Sequence, residues 1–229
     1  MMEVFDHKLS IVLRARKSWP KYASFEEDSI LRKEKWNDKY TSERVIQWDN
    51  TNVTMTKPSD AALQRTTYSQ YYKENCAKGG VHLQFCGWMG TEELWTGNVC
   101  DSDYQSNGNI IMEQKVFACN DRKEKEDINP FYMLLDKGYR ITELAFREGY
   151  GQITMQPDFA KADEKFKRHQ VLTSSTVASD RSGNERAVRL SKQCGLINRG
   201  MHPRTSFVRI DNEWLVWSFQ CNFMYKNVN

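Results

Sequence analysis

Arg44-Val45-Ile46-Gln47-Trp48-Asp49 reads as a buried strand that closes on a carboxylate. Farther along, Phe131-Tyr132-Met133-Leu134-Leu135-Asp136 does the same: Pro130 breaks the chain, a short continuously apolar run follows, and an aspartate ends it. Continuous apolar runs of this length are typical of central strands covered on both faces. In α/β sheets, ligand sites lie outside the carboxyl ends of such strands, where an aspartate is well oriented. The plainer alternative is that each is an ordinary turn or helix-capping residue; Asp136 precedes Lys137-Gly138, a common turn pair.

Between these runs, residues 57–80 read as a long connection rich in Tyr and Lys. Val81, Leu83 and Phe85 alternate as a half-buried strand should. A Gly-rich turn from Gly87 to Gly90 then leads to a second strand around Leu94–Val99, which makes a hairpin. Ile110–Ala118 and Ile141–Glu148 fit helices, and Gln152–Gln156 fits a short strand stopped by Pro157. Helical pattern resumes around Asp163–Leu172 and again over Ser182–Cys194, with Gly195 as its C-cap. The alternation of Leu215, Trp217, Phe219, Cys221, Phe223 and Tyr225 suits a strand, whereas Trp217, Cys221, Met224 and Tyr225 suit a helical face. Periodicity alone leaves that segment open.

The 229 residues suit one domain with an arm, and 39% hydrophobic with 28% charged residues fits a globular chain. A net charge of +3 permits nucleic-acid binding without arguing for it. The domain is placed at residues 44–229. Residues 1–43, including the basic and aromatic Arg14–Trp19 and the densely charged Glu26–Lys39, read as an exposed helix or linker, or as a contact to DNA. Six cysteines without a C-x-x-C pair argue against a zinc site and for reduced thiols in an intracellular protein. There is no signal peptide and no transmembrane run, so no membrane partner is expected. His7, His82, His169 and His202 lack metal-ligand spacing, and no phosphate-cradling glycine loop for ATP is present. Trp88 and Trp95 flank the hairpin turn, as core residues or as platforms for an unstacked base.

Glu185 is the third acid of interest. Ser182-Gly183-Asn184-Glu185 has the form of a capping box, in which Glu185 serves only the helix start. Alternatively, Glu185, Arg189 and Lys192 share one helix face opposite Ala187, Leu190, Ser191 and Cys194, and the two cations beside the carboxylate suit a site where metal meets phosphate. Three converging carboxylates repel one another unless divalent cations join them. Mg²⁺ takes a few carboxylates together with waters and phosphate oxygens, and two such ions about 4 Å apart promote in-line phosphodiester displacement.

Trp48-Asp49-Asn50-Thr51-Asn52-Val53, Tyr71-Tyr72 through Lys78-Gly79, Leu135-Asp136-Lys137-Gly138-Tyr139, and Asn184-Glu185-Arg186-Ala187 followed by Lys192 together resemble the DDE superfamily of transposase-type endonucleases, in particular its Harbinger-like group. The resemblance spans about residues 44–225. It implies an α/β, ribonuclease-H-like mixed sheet flanked by helices, and a catalytic and metal-binding triad of Asp49, Asp136 and Glu185, with Asp180 as the substitute for Glu185. It further implies Mg²⁺ or Mn²⁺ in a two-metal site, and cleavage or joining of DNA in the nucleus. The arm is too short for the family's N-terminal helix-turn-helix region. A fragment or a domesticated form is therefore expected, working as a homodimer or with a separate DNA-binding subunit. The alternative function is a catalytically silent DNA-binding or protein-interaction domain of transposase origin.

Overall fold

The structure is a computed structural model that describes residues 22–37, 44–101, 103–104, 131–136, 139, 154–155, 165–193, 197 and 207–224. The order of elements is α1 (Phe25–Leu31), α2 (Glu34–Asn37), β1 (Arg44–Thr54), α3 (Ala61–Thr67), β2 (Tyr68–Ser69), β3 (Glu74–Gln84), β4 (Met89–Thr91), β5 (Trp95–Thr96), β6 (Phe131–Leu134), β7 (Thr154–Met155), α4 (Arg168–Ser191) and α5 (Phe207–Met224). The helices read at Ile110–Ala118 and Ile141–Glu148, and the Gly195 cap, lie outside the described residues.

The sheet is mixed and curled, with strand order β2-β3-β1-β6-β7 and with β4 and β5 on the outer side of β3. β1 runs antiparallel to β3 and parallel to β6, and β7 runs parallel to β6. The alternating residues of β1 point to opposite faces. On one face, Val53, Ala77, Val81 and Leu83 pack against Ala187 and Leu190 of α4 and Ile210, Trp214 and Leu215 of α5. On the other, Ile46 and Trp48 pack with Tyr22, Tyr104, Met133, Leu135 and Tyr139. The chain is thus α/β, with a mixed sheet flanked by helices.

Three expectations change. First, β1 does not stop at Asp49 but continues to Thr54, because Thr51 and Val53 keep the inward alternation and pair with Gly79 and Ala77. Second, the connection over residues 57–80 is largely regular. Asp60 caps α3 through the Leu63 N–H (2.7 Å), and β3 begins at Glu74, with Lys78-Gly79 inside the strand. The two glycines fit there because both faces are crowded. A Cβ on Gly79 would stand 2.8 Å from Trp214 Cζ2, and one on Gly80 2.6 Å from Trp48 Cζ2. Third, the helix is one element of 24 residues over Arg168–Ser191, not two separated at Ser182. Gly183 is no helix start; an added Cβ there would meet Leu83 Cδ2 at 2.9 Å, so the glycine lets α4 lie close on β3.

The stretch 22–37, read as an exposed arm or linker, packs on the sheet. Tyr22 stacks on His82 (4.6 Å between ring centroids) and Trp36 on Phe85 (4.3 Å). The Ala23 N–H donates to Gln84 Oε1 (2.7 Å), and the buried Asp28, paired with Arg32, accepts from the Cys86 N–H (3.0 Å). The charged look of the segment hid these few anchors: Ser24 and Glu27 form a capping box, and the remaining charges of α1 face out.

The hairpin after Phe85 forms with a different second strand: Val81–Leu83 pairs with Met89–Thr91 of β4, part of which was read as turn, Gly87 (φ 94°) makes the turn, and Trp95–Thr96, in the stretch expected to be the second strand, pairs with Ala77–Lys78 instead. Trp88 and Trp95 are half-buried against Phe219 and Tyr104 respectively. α5 resolves the ambiguous segment as a helix: Ile210, Trp214, Ser218 and Cys221 repeat at helical spacing on the buried side. Among the described residues β4 pairs only with β3, and α5 side chains serve the backbone beside it. Asn222 bonds the Met89 N–H (2.7 Å) and C=O (2.8 Å), Asp211 accepts from the Leu94 N–H (2.6 Å), and Trp214 Nε1–H donates to Glu92 C=O (3.0 Å). No described helix is long and apolar enough to cross a membrane.

Candidate active site

The parallel pairing of β1 with β6 matches Gln47 to Leu134. Continuing that register by two residues places Asp136 level with Asp49 and on the same face of the sheet. The two carboxylates meet a single cation. Arg181, from the middle of α4, lies 3.7 Å from Asp49 Oδ2 through Nη2 and 3.3 Å from Asp136 Oδ1 through Nη1. α4 is held at this height because the Asn184 N–H, one turn short of Ala187, donates to Gln47 Oε1 (3.1 Å).

Asp49 is half-buried. Desolvation raises its pKa from the ordinary carboxylate value to about 6; Arg181 and the Asn50 N–H, which donates to Asp49 Oδ1 (2.9 Å), oppose the rise, and Asp136 and Asp101 add to it. Asp101 forms the wall beside it, accepting from Lys78 Nζ (2.8 Å) and Asn50 Nδ2 (3.1 Å). The Tyr139 N–H donates to the Asp136 carbonyl (3.2 Å), and its ring is buried with Trp48 and Leu135. Burial, then the charges of Asp49 and Asp101, hold its hydroxyl well above the ordinary range. Lys192 reaches across from the end of α4 to Asn52 Oδ1 (3.3 Å), and burial lowers its pKa.

Of the residues singled out from sequence, Asp49 and Asp136 are brought together. Glu185 lies one turn beyond Arg181 and is exposed, in the middle of a helix instead of at its cap. Asp180 is buried on the sheet-facing side with Val177, Asn184 and Ala187. Among the described residues no three His, Cys, Asp or Glu side chains converge on one point. His82 is a core residue between Tyr22 and Trp48, and His169 is exposed. His7 and His202 lie outside the described residues.

Arg181, Asp101, Lys78 and Lys192–Asn52 complete the site. Arg181 had a signal in the sequence, since it stands four residues before Glu185, but splitting the helix at Ser182 removed it from that face. Nothing local marks Asp101; Lys78, part of the Tyr71-Tyr72 through Lys78-Gly79 stretch, meets it across 23 residues of chain.

Two carboxylates focused on one guanidinium form a strong cation site in a half-buried setting. Arg181→Ala is expected to lower the melting temperature at pH 7.5, by roughly 1–2 kcal/mol of stability, because the two acids would lose the guanidinium they share. The loss shrinks as the pH falls below about 6, where Asp49 takes up a proton. Equal losses at pH 5 and pH 7.5 in thermal melts would mean that Arg181 acts by packing alone.

Comparison of the chain with protein families, curated proteins and solved structures found no match.

Proposed function

We propose that the chain is a metal-dependent DNA-processing domain of the transposase type, with a ribonuclease-H-like fold, that cleaves or joins phosphodiesters at Asp49 and Asp136. The observation that carries this reading is the pair of level carboxylates on adjacent parallel strands, focused on one cation. The strand order supports it: an antiparallel β-meander β1-β3-β4, followed by parallel strands β6 and β7 on the other side of β1.

The donor set fits Mg²⁺ or Mn²⁺, which accept one or two carboxylates and complete their shell with water and substrate phosphate. Asp49 and Asp136 would hold the ion. When bound, it would supply an activated nucleophile and charge neutralisation at the phosphate. The protein's own part is positional. The Gln47–Asn184 contact sets the height of α4, and Asp101 holds Asn50 beside Asp49. Arg181 stands where the ion's charge is needed and serves as the counter-ion of the metal-free state. Glu185, on the same face one turn further, is assigned the third acidic position. Work on DNA in the nucleus, with a second copy or a separate DNA-binding subunit, belongs to the same proposal.

A silent, transposase-derived binding domain is the second reading, favoured by Arg181 spanning the dyad and by Glu185 standing outside it. Nicking of supercoiled plasmid in millimolar Mn²⁺ decides. The expected result is nicking by wild type, a loss of at least 100-fold in Asp136→Asn, and a similar loss in Glu185→Gln at unchanged melting temperature. An inactive wild type whose melting temperature also ignores Mn²⁺ would establish the silent reading. Full activity of Glu185→Gln would remove Glu185 from the site.

A further inference from the structure

A second feature lies along β1 from the acids. Beyond Thr54 an open cleft of about 930 Å³ is bounded by the end of β1, by α3 and by the β2–β3 turn. Three exposed cations line it, Lys57, Arg65 and Lys73, together with Tyr68 and Gln70. Its one carboxylate, Glu74, is already engaged: Oε1 accepts from Asn52 Nδ2 (2.8 Å) and Thr54 Oγ1 (3.0 Å). The cleft therefore presents net positive charge.

The turn that carries Lys73 is unusual. Lys73 is the only non-glycine among the described residues with positive φ (60°), a conformation uncommon for a long side chain and one that is over-represented at functional sites. Bonds from the Lys73 N–H to Ser69 C=O (2.9 Å) and from the Tyr72 N–H to Ser69 Oγ (3.3 Å) hold it. The same turn displays Tyr71, 85% exposed, with Tyr72 edge-on at 4.8 Å. No core contact explains an aromatic left so open. Tyr72 in turn lies within the field of the candidate site: burial first, then the charge of Asp101 and, further down, that of Asp49, raise its hydroxyl pKa. Five residues of extended β1, roughly 17 Å, separate Thr54 from Asp49, and the turn that carries Lys73 at the cleft also carries Tyr72, which interacts with Asp101 and Asp49.

A positively charged groove beside exposed aromatic rings is the arrangement that holds a single strand, with phosphates on the cations and bases stacked on the rings. A duplex hides its base faces and has no use for Tyr71. We propose that this cleft binds single-stranded DNA, with Lys57, Arg65 and Lys73 on the phosphates and Tyr71 under a base, and leads the strand toward Asp49 and Asp136. Its delivery role rests on the function proposed above; the binding itself does not, and needs no metal.

The test is fluorescence anisotropy of a labelled 20-nucleotide oligothymidylate in EDTA, over a series of salt concentrations. Wild type and Asp49→Asn are expected to bind alike. The Lys57→Ala/Arg65→Ala/Lys73→Ala variant, altered only at exposed positions, is expected to lose at least tenfold in affinity at low salt. Its log–log salt slope should flatten by about 2, at about 0.7 for each single-strand phosphate contact. Tyr71→Ala should weaken binding by fivefold or more with the slope unchanged. Absence of wild-type binding, an unchanged triple variant, or tighter binding of a blunt duplex or of oligouridylate would each overturn the inference. Binding as expected without any plasmid nicking would leave the cleft standing and remove the nuclease reading. Nicking that ignores the triple substitution would do the reverse.

Discussion

Asp49→Asn is expected to melt higher than wild type at pH 7.5 in the absence of metal and to nick no plasmid in Mn²⁺. Burial raises the folded-state pKa of Asp49 from 3.8 to about 6, so the folded protein holds this proton more tightly than the unfolded chain. A carboxyl group shifted upward contributes its stability below the unfolded value and loses it as pH rises through the folded value. The wild type thus loses stability between about pH 4 and pH 6, by at most about 3 kcal/mol for a shift of this size and less where solvent reaches the carboxylate. Asparagine carries no charge at any pH and escapes that loss. The difference in stability between variant and wild type should therefore be small near pH 4, grow through pH 6 and level off above pH 7. Mn²⁺ reverses the order, because only the wild type gains from an ion that binds the native state, by about 2.7 kcal/mol at 100 times the dissociation constant. Chemical denaturation across pH, with and without Mn²⁺, measures both effects. A variant less stable than wild type at pH 7.5, with a parallel pH profile, would show that the Asp49 charge is not strained, and the site would lose its main physical support.

Trp214→Ala is expected to cost about 3–5 kcal/mol, the range for removing a fully buried aromatic side chain. Trp214 is wholly buried, its ring lies over Gly79, and its Nε1–H meets the Glu92 carbonyl. Trp214→Phe separates the contributions. It retains most of the apolar contact and leaves the carbonyl unmet, at about 1–3 kcal/mol. Urea denaturation gives both values, and a loss below about 1 kcal/mol for Trp214→Ala would mean that α5 is not anchored through this ring.

The two apolar runs ending in Asp49 and Asp136 were legible because continuous burial leaves a direct mark on sequence, and both are strands on adjacent positions of the sheet. The sheet-facing positions Ala187, Leu190 and Ser191 were legible for the same reason. Gly183 was misleading: a glycine that admits a close helix–strand approach looks like a helix boundary when the strand it approaches, at Leu83, is 100 residues away. Segment 22–37 was opaque because its attachment includes ring stacks and backbone bonds to distant residues, Gln84 and Cys86, while its composition is dominated by outward charges. The acids themselves could be nominated from sequence. The guanidinium between them carried only its four-residue spacing from Glu185, a signal lost when the helix was split at Ser182, and its partners stand 132 and 45 residues earlier in the chain.

The service that α5 gives to β4 has a consequence for biosynthesis. Met89, Glu92 and Leu94 obtain their backbone partners from residues 117–133 positions later. While the chain is being made, the hairpin leaves the ribosome long before those partners exist. Until residue 222 emerges, the backbone groups of Met89, Glu92 and Leu94 lack these partners and α4 alone of the two helices can cover the apolar side of β3, a surface of the kind on which nascent chains aggregate. A chain interrupted before α5 would keep those groups without these partners, so α5 is what completes this side of the sheet.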